Sequence, residues 1–435
     1  MDKQEVLQAN EQSLAHLRSI YDDETETVIA DARYGFISGL LKDVLKKPPI
    51  ERLTLSDKID TVVVNRWLGI PLFLGIMYVA FQFVFRLSVP FMDWIDAGFG
   101  WLAGLTSGIG GWGGSLLADG VIGGVGSVLI FVPPIFLLFI AIAVLEDCGY
   151  MARAAFVMDR VMHKVGLHGR SFIPMILGFG CNIPGIMAAR TIENPKDRLT
   201  TILINPFMSC GARLPIFVLL AGYFFAAHAG LVVFSMYIIG IVVAIIAALV
   251  FRKTLFRGVS SHFVMELPPY RLPTIKGVLT HMWERGRLFL RKAGTIIFGV
   301  VLLVWLLGYT GALEPIGRAI APVFTPCGFG QWQAAVSLFF GFLAKEVVVG
   351  TMGTLFAAEE GVLGGAIAAQ LGWTPLVASA FMVFCLLYVP CVAAIATIKS
   401  ETNSWKWPIF TIFYTTAIAW IVAALIFQIG TLFIG

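Results

Sequence analysis

Charged residues are scarce in this chain, since Asp, Glu, Lys and Arg make up 13% of its 435 residues against 58% hydrophobic residues. The mean hydropathy is +0.85, and several apolar runs are too long for the core of a soluble protein. Lipid satisfies no backbone polar group, so such runs cross a membrane as helices. The sequence therefore predicts an all-α, polytopic helical membrane protein with membrane lipid as a partner. A net charge of only +4, with basic residues clustered in loops, argues against nucleic acid as a partner.

Several catalytic and metal-binding patterns are also absent. The six cysteines show no CxxC spacing, which argues against a zinc ribbon or a disulfide scaffold. The sequence contains no HExxH motif, no GxSxG motif and no paired-carboxylate arrangement. It therefore gives no indication of an intramembrane enzyme. None of the six histidines lies deep in an apolar run, so we do not expect a permeation site built from histidine.

The apolar runs and the charges between them predict how the chain crosses the membrane. The loop at 88–120 carries three Asp and no Lys or Arg, whereas the loop at 146–171 carries four basic residues. Because basic loops stay in the cytoplasm, the first loop is expected outside and the second inside. The predicted apolar segments are 68–88, 121–145, 173–189, 201–226, 231–251, 293–311, 333–357, 376–398 and 409–434.

The segment 173–189 is apolar but contains the run Gly178-Phe-Gly-Cys-Asn-Ile-Pro-Gly185. Glycine and proline weaken or break a helix, and broken backbone survives at bilayer depth only where protein covers it or water reaches it. The loop at 190–200 is basic like the loop before the segment, so the segment is predicted to be re-entrant. Cys181 and Asn182 at the break offer a thiol and a carboxamide, a pair compatible with a metal ion.

The most basic loop, 252–292, is expected in the cytoplasm and divides the apolar segments into two halves. The stretch GFGCN at 178–182 is echoed by GFLAK at 341–345, and CGARLP at 210–215 by CVAAIA at 391–396. The second half begins on the opposite side of the membrane, so the sequence predicts inverted repeats with a binding site at their interface.

Four further stretches carry a family resemblance. They are ADARYGFI at 30–37, LSDKID at 55–60, LGIP at 68–71 and EDCGYMAR at 146–153. Together with the break at Cys181, they resemble FeoB, the bacterial ferrous iron transporter family. The resemblance covers nearly the whole chain and implies Fe(II) as the transported ion. It also implies two Gate repeats in the bacterial inner membrane and a cytoplasmic N-terminus.

The resemblance also implies partners and a domain division. A cytoplasmic GTP-binding domain controls transport in the family, and small cytoplasmic Feo accessory proteins are further partners. This chain has no GxxxxGK[ST] and no Asn-Lys-x-Asp element, so we expect that it neither binds nor hydrolyses GTP. Whether it forms a homo-oligomer stays open. The expected parts are a cytoplasmic helical region following a G domain (1–66), a first span with its outer loop (67–120), the first Gate repeat (121–251), the cytoplasmic basic loop (252–292) and the second Gate repeat (293–435).

Cysteines are the leading candidates for metal ligands. Fe(II) accepts thiolate, carboxylate and amide oxygen, and a transport site must hold it weakly enough for release. Cys181, Cys210 and Cys391 match the cysteines of the family's Gate motifs, which implies that they line the ion's path. A buried cysteine is otherwise a small apolar residue, and this is the interpretation that we favour for Cys385.

Charged groups within or beside the apolar segments are further candidates. Glu346 is either a metal ligand or the ion-pair partner of Lys345. Glu146 and Asp147 either collect the cation or pair with Arg153. Asn182 and Asn205 either offer amide oxygens or bond freed backbone groups. Arg213 is expected to bond carbonyls or a carboxylate.

Two other functions fit an apolar chain with such repeats. A nucleoside-type carrier is one, but it calls for clustered Gln, Asn, Ser and Glu at both breaks, and Cys181 with Pro184 does not supply them. A membrane scaffold without transport activity is the other. The thiols at the breaks favour ferrous iron transport over both.

Overall fold

The structure is a computed structural model that describes residues 13–14, 16, 32–37, 39–41, 55–65, 67–106, 111–130, 132–164, 166–167, 169–256, 269–290, 294–356 and 360–434. The chain divides into two compact units, Met1–Lys58 and Ile59–Gly435. Every regular element within the described ranges is a helix, which confirms the predicted all-α class. The described part of the first unit consists of short helical stretches.

The second unit carries the apolar helices. The described α-helices of seven residues or more are, in chain order, α1 (Leu55–Val63), α2 (Gly69–Thr106), α3 (Gly123–Ile130), α4 (Val132–Asp147), α5 (Tyr150–Lys164), α6 (Phe172–Gly180), α7 (Asn182–Ala188), α8 (Pro195–Ile204), α9 (Leu214–Phe224), α10 (Ala229–Thr254), α11 (Ile275–Phe289), α12 (Thr295–Tyr309), α13 (Leu313–Ile320), α14 (Trp332–Leu343), α15 (Val347–Phe356), α16 (Glu360–Leu371), α17 (Pro375–Leu387), α18 (Val392–Thr402) and α19 (Lys406–Ile434).

Among the described residues, six helical stretches are long and apolar enough to cross a membrane, so the chain is a multi-pass membrane protein. They are Gly69–Thr106, Trp112–Asp147, Pro195–Phe224, Ala226–Thr254, Pro375–Thr402 and Lys406–Phe433. In the most apolar part of Pro375–Thr402, 83% of the residues are buried, against 22% in Lys406–Phe433. The first of these two stretches is therefore central in the bundle, and the second lies at its surface.

Most of the stretch 88–120, which the sequence predicts as an outer loop, is helical, while its location outside the membrane stays a prediction. Helix α2 is 38 residues long and continues through Pro90 to Thr106. A second helical stretch begins at Trp112 and passes through a π-helix, Leu116–Ile122. The residues after Pro90 are mostly apolar and aromatic, so they propagate the helix even though proline removes one backbone donor.

The re-entrant segment in the first half is confirmed. Helices α6 and α7 lie on either side of Cys181, whose backbone is extended with φ −154° and ψ 130°. The two helices pack against each other as a hairpin, so the chain leaves on the side where it entered. We call α6 and α7 the first hairpin.

The second half repeats this shape. Helices α14 and α15 also pack against each other, and Ala344 between them has φ −148° and ψ 129°. The amide of Cys181 donates to the carbonyl of Leu177 at 2.9 Å, and the amide of Ala344 donates to Phe340 at 3.2 Å. Cys181 and Ala344 are therefore equivalent positions. We call α14 and α15 the second hairpin.

The two crossing stretches that follow the hairpins are themselves interrupted, which the continuous segments 201–226 and 376–398 did not predict. Helix α8 ends at Ile204, and α9 begins only at Leu214, with two 3₁₀ turns between them. Helix α17 ends at Leu387 and α18 begins at Val392. The protein covers these interruptions, since Asn205 and Tyr388 are both nearly fully buried.

The halves interlock at these interruptions. Helix α7 of the first hairpin packs against α18, and α9 packs against α15 and α16. At one end of this interface, Arg190 donates through Nε and Nη2 to both carboxylate oxygens of Glu401, at 2.6 and 2.5 Å. Each hairpin thus contacts the crossing helix of the other half, as an inverted repeat requires.

A buried arginine binds Asp60 within the second unit. The Arg153 side chain is 1% exposed, and it donates to both carboxylate oxygens of Asp60 at 2.9 and 3.0 Å. Its guanidinium also lies 4.0 Å from the ring centroid of Tyr270. The hydrogen bond to Asp60 raises the pKa of Arg153, and burial raises the pKa of Tyr270 to about 12. The predicted pairing of Arg153 with Glu146 or Asp147 is therefore wrong.

Candidate functional site

A cavity of about 490 Å³ lies where the interruptions of the two halves meet. Its lining includes the three cysteines predicted as ligands, together with Asn182 and Glu346. These are five of the seven predicted site residues, and they come from four separate stretches of the chain. The grouping matches the sequence prediction, while the role of each residue stays a prediction.

The three cysteines occupy interrupted backbone. Cys181 separates the two helices of the first hairpin. Cys210 and Cys391 both precede a helical turn in extended conformation, with ψ of 161° and 154°. The carbonyl of Cys210 accepts from the amide of Arg213 at 3.0 Å, and that of Cys391 accepts from Ala394 at 2.9 Å. Cys210 and Cys391 are thus equivalent positions of the two halves, and all three cysteines are partly buried and unpaired by disulfides.

Asn182 fits between two backbone carbonyls. With its amide nitrogen turned toward them, it donates to Gly178 at 3.0 Å and Met208 at 3.2 Å. The side chain is 5% exposed. Since the nitrogen is occupied, the carboxamide oxygen is the group that remains to bind a cation in the cavity.

Asn205 does not line the cavity. Its side-chain nitrogen donates to the carbonyl of Pro174 at 2.7 Å, which connects the crossing stretch to the first hairpin. Of the two roles expected for Asn205, the structure therefore supports the bonding of freed backbone. Cys385 is 0% exposed and lies outside the cavity lining, which agrees with the packing role that we expect for it.

Two basic side chains line the cavity and are bonded differently. Arg213 is fully buried and donates to the carbonyls of Met208 at 3.2 Å and Pro206 at 3.1 Å, which confirms its expected structural role. Lys345 is 2% exposed, and its Nζ has no hydrogen-bond partner. The Nζ lies 3.0 Å from the ring centroid of Tyr388. Among the ion pairs of the described residues none joins Lys345 to Glu346, so the ion-pair alternative for Glu346 is wrong.

The other two predicted ligands lie away from the cavity. Glu146 forms an ion pair with Arg285 at 2.9 Å, and its side chain is 52% exposed. Asp147 is the last residue of α4. Within the described ranges, no three His, Cys, Asp or Glu side chains are arranged to hold one metal ion together.

The rest of the lining is apolar and was not predicted from the sequence. Side chains of α2, α3, α4 and α9 complete the lining. They include Phe81, Val84, Phe85, Met92, Val128, Leu138 and Val218. Apolar residues of this kind carry no chemical signal in a sequence that is apolar throughout.

Family models match most of the chain. The Gate model, described as "Nucleoside recognition", matches residues 128–224 and 290–405. The model of the ferrous iron transport protein B C terminus matches residues 233–285. The model of the FeoB cytosolic helical domain matches residues 1–46.

Three relatives illustrate the similarity. The Fe(2+) transporter FeoB of Staphylococcus aureus (strain MSSA476) is 43% identical over 97% of this chain and 67% of its own length. The Fe(2+) transporter FeoB of Methanocaldococcus jannaschii is 44% identical over 94% of this chain and 64% of its own length. A fusion protein of Porphyromonas gingivalis, named Fe(2+) transport protein A/Fe(2+) transporter FeoB, is 42% identical over 94% of this chain and 56% of its own length.

This chain thus spans between 56% and 67% of the length of these three relatives. No solved structure matches it significantly. The relatives' identity and coverage, together with the two models named for ferrous iron transport, establish the family. The chain belongs to the FeoB family of Fe(2+) transporters.

Proposed function

We propose that this chain forms the pathway by which Fe(II) crosses the membrane, and that the ion passes through the cavity at the two sets of interruptions. The observation that carries the proposal is the meeting of Cys181, Cys210 and Cys391 in one cavity. The three thiols come from three separate interruptions, and two of them occupy equivalent positions of the two halves.

The chemistry of the lining suits Fe(II). Thiolates are favoured ligands of soft and borderline cations, while carboxylate and amide oxygens add weaker bonds. The cavity offers the three thiols, the Glu346 carboxylate and the Asn182 carboxamide. A transported ion must also leave, so we expect it to contact these groups in succession.

The orientation belongs to the same proposal. We place the chain in the bacterial inner membrane with its N-terminus in the cytoplasm. The basic loops at 146–171 and 252–292 would then face the cytoplasm.

Control by nucleotide would come from a partner. We propose that a cytoplasmic GTP-binding domain, assisted by small Feo accessory proteins, shifts the cavity between closed and open arrangements. The match of residues 1–46 to the FeoB cytosolic helical domain supports a contact with this partner on the cytoplasmic side. The chain itself would act as a transporter and not as an enzyme.

Anaerobic uptake of Fe(II) into liposomes that contain a chelating dye tests the proposal. We expect liposomes that contain the parent chain, alone or with a separately supplied GTP-binding domain, to take up Fe(II) faster than protein-free liposomes do. The triple variant Cys181→Ala, Cys210→Ala, Cys391→Ala should fall to the protein-free rate. Equal rates for parent and triple variant would refute the proposed path. Uptake of a radiolabelled nucleoside in place of Fe(II) would refute the proposed substrate.

A further inference from the structure

Asn205 is a fully buried carboxamide outside the cavity lining. Its nitrogen donates to the carbonyl of Pro174, and no hydrogen-bond donor among the described residues reaches its oxygen. A buried polar atom without a partner costs stability, so such a group calls for an explanation. The gain from one hydrogen bond does not explain this side chain by itself, and its surroundings indicate a further role.

The carboxamide contacts both arms of the first hairpin. A Cβ atom at Gly178, in α6, would lie 3.0 Å from the Asn205 oxygen. A Cβ atom at Gly185, in α7, would lie 2.9 Å from the same oxygen. A side chain at either position would therefore push the carboxamide away. The two glycines stand three residues before and four residues after Cys181, so Asn205 holds both arms next to the residue that carries the thiol.

The stretch that begins at Asn205 also carries the second thiol. Cys210 follows Asn205 by five residues, across a 3₁₀ turn. Met208 lies between them and contacts the first hairpin as well, since its carbonyl accepts from the Asn182 amide at 3.2 Å. The contacts of Asn205 and Met208 therefore fix the place of Cys181 relative to Cys210.

The second half makes a comparable contact with a different side chain. The hydroxyl of Tyr388 donates to the carbonyl of Leu338, in α14, at 3.5 Å. This hydroxyl also packs against Gly341, where a Cβ atom would overlap with it. Gly341 stands three residues before Ala344, which is the position that Gly178 has in the first hairpin. In both halves the crossing stretch thus bonds the first arm of its own hairpin close to the break, although the side chain that does so differs.

We propose that Asn205 is a positioning residue for ion transport, whose carboxamide holds the first hairpin so that Cys181 presents its thiol at a fixed distance from Cys210. This inference rests on the proposed function. Asn205 acts through Cys181 and does not touch the ion. Groups that orient metal ligands in this way change the affinity of a site by about 10- to 100-fold when they are removed.

A double-mutant cycle in the liposome assay tests the inference. Asn205→Leu replaces the carboxamide by an apolar group of similar size, and Asn205→Ala removes it. Each substitution is made in the parent and in the Cys181→Ser variant. Gln428→Ala is the matched control, because Gln428 is also a carboxamide that donates to a proline carbonyl, that of Pro326 at 3.1 Å, and it lies outside the cavity lining. The Fe(II) concentration at half-maximal uptake and the maximal rate are measured for each folded protein.

In the parent, we expect either Asn205 substitution to raise the Fe(II) concentration at half-maximal uptake by about tenfold, as loss of a group that orients a metal ligand does. The maximal rate at saturating Fe(II) should stay within about twofold of the parent rate. In the Cys181→Ser variant, the same substitutions should cause no further rise, because the thiol through which Asn205 acts is gone. Gln428→Ala should change neither value in either protein.

Binding of Co(II) in place of Fe(II) gives a second measurement that does not depend on transport. A thiolate ligand gives bound Co(II) an intense sulfur-to-metal charge-transfer band. In anaerobic, detergent-purified protein, we expect this band to be weakened to the same extent by Asn205→Leu and by Cys181→Ser. Gln428→Ala should leave it unchanged. A role of Asn205 in stability alone would not alter the band of a folded protein.

Several results would overturn the inference. A rise of about tenfold in both backgrounds would mean that Asn205 acts independently of Cys181. The inference also fails if the folded Asn205 variants transport like the parent or keep the full charge-transfer band. If neither variant accumulates as folded protein while Gln428→Ala does, Asn205 serves folding and not positioning. Absence of Fe(II) uptake by the parent is a different outcome, and it refutes the proposed function.

Discussion

The side-chain nitrogen of Asn205 donates to the backbone carbonyl of Pro174 at 2.7 Å and so connects the first crossing stretch to the first hairpin. Gly185 packs directly against this bond. A Cβ atom at position 185 would lie 2.7 Å from the Pro174 oxygen and 2.8 Å from the Asn205 nitrogen. The close approach of three backbone segments next to the cavity therefore depends on a residue without a side chain.

Gly185→Ala is expected to destabilise the protein. The added methyl group must displace the hydrogen bond between Asn205 and Pro174, and overpacking of this kind costs about 1–3 kcal/mol. Thermal unfolding in detergent, followed by tryptophan fluorescence, measures the effect. Gly350→Ala is the control, because a Cβ at Gly350 has no heavy atom within 4 Å. Equal unfolding temperatures for the two variants would show that the hairpin tolerates the methyl group.

Glycine and proline made the first hairpin predictable from sequence. The cluster from Gly178 to Gly185 indicates broken backbone, and the basic loops on both sides indicate a return to the same face. The cysteines could be grouped because Cys181, Cys210 and Cys391 match the Gate motifs of the family that the chain resembles, and because 210–215 is echoed by 391–396. The first inference rests on local chemistry, and the second rests mainly on the resemblance.

Other features could not be predicted because they depend on tertiary packing. The interruption at 388–391 is preceded by an apolar helix and contains one proline, and nothing local tells such a stretch from a continuous span. The contact of Lys345 with Tyr388 joins residues that are 43 positions apart in the sequence. The apolar residues of α2 line the cavity only because the helices pack against one another, so the sequence alone does not reveal them.

The inverted repeat predicts the side on which two exposed positions lie. Val362, near the start of α16, is 64% exposed, and Asn403, just after α18, is exposed as well. We expect Val362→Cys to react with a membrane-impermeant thiol reagent from outside and Asn403→Cys only from inside. The parent, with its six native cysteines, gives the background for both reactions. Labelling of both positions from one side would contradict the inverted arrangement and leave the transport proposal untouched.

The placement of two glutamates predicts different effects of their removal. Glu346 lines the cavity, whereas Glu146 is a half-exposed partner of Arg285. Exposed ion pairs contribute about 0–1 kcal/mol, so Glu146→Gln should change neither folding nor Fe(II) uptake appreciably. Glu346→Gln removes a candidate ligand and should raise the Fe(II) concentration at half-maximal uptake by about tenfold, by analogy with the losses seen around metal sites.

Fe(II) uptake by the variant Asp147→Asn shows whether the carboxylate at the end of α4 contributes to transport of the ion. If Glu146→Gln or Asp147→Asn impairs uptake more than Glu346→Gln does, the carboxylates at the end of α4 handle the ion. Glu346 would then be a residue of the lining without a role as ligand.

Single cysteine substitutions separate thiols that bind the ion from thiols that pack. Cys181 lies at the extended residue of the first hairpin and lines the cavity, while Cys385 is fully buried away from it. Cys181→Ser should therefore lower Fe(II) uptake by about tenfold or more at low Fe(II), and Cys385→Ser should not. Cys210→Ser and Cys391→Ser should fall between these two.

The amount of folded protein in the membrane, measured by size-exclusion chromatography after extraction, is the control for all four variants. Serine keeps the size of cysteine and can still donate a hydrogen bond, so we expect equal amounts. Normal transport by Cys181→Ser with impaired transport by Cys385→Ser would make the cavity thiols packing residues. Because the cavity would then offer only Glu346 and Asn182 as candidate ligands, the ion's path would have to be sought along them.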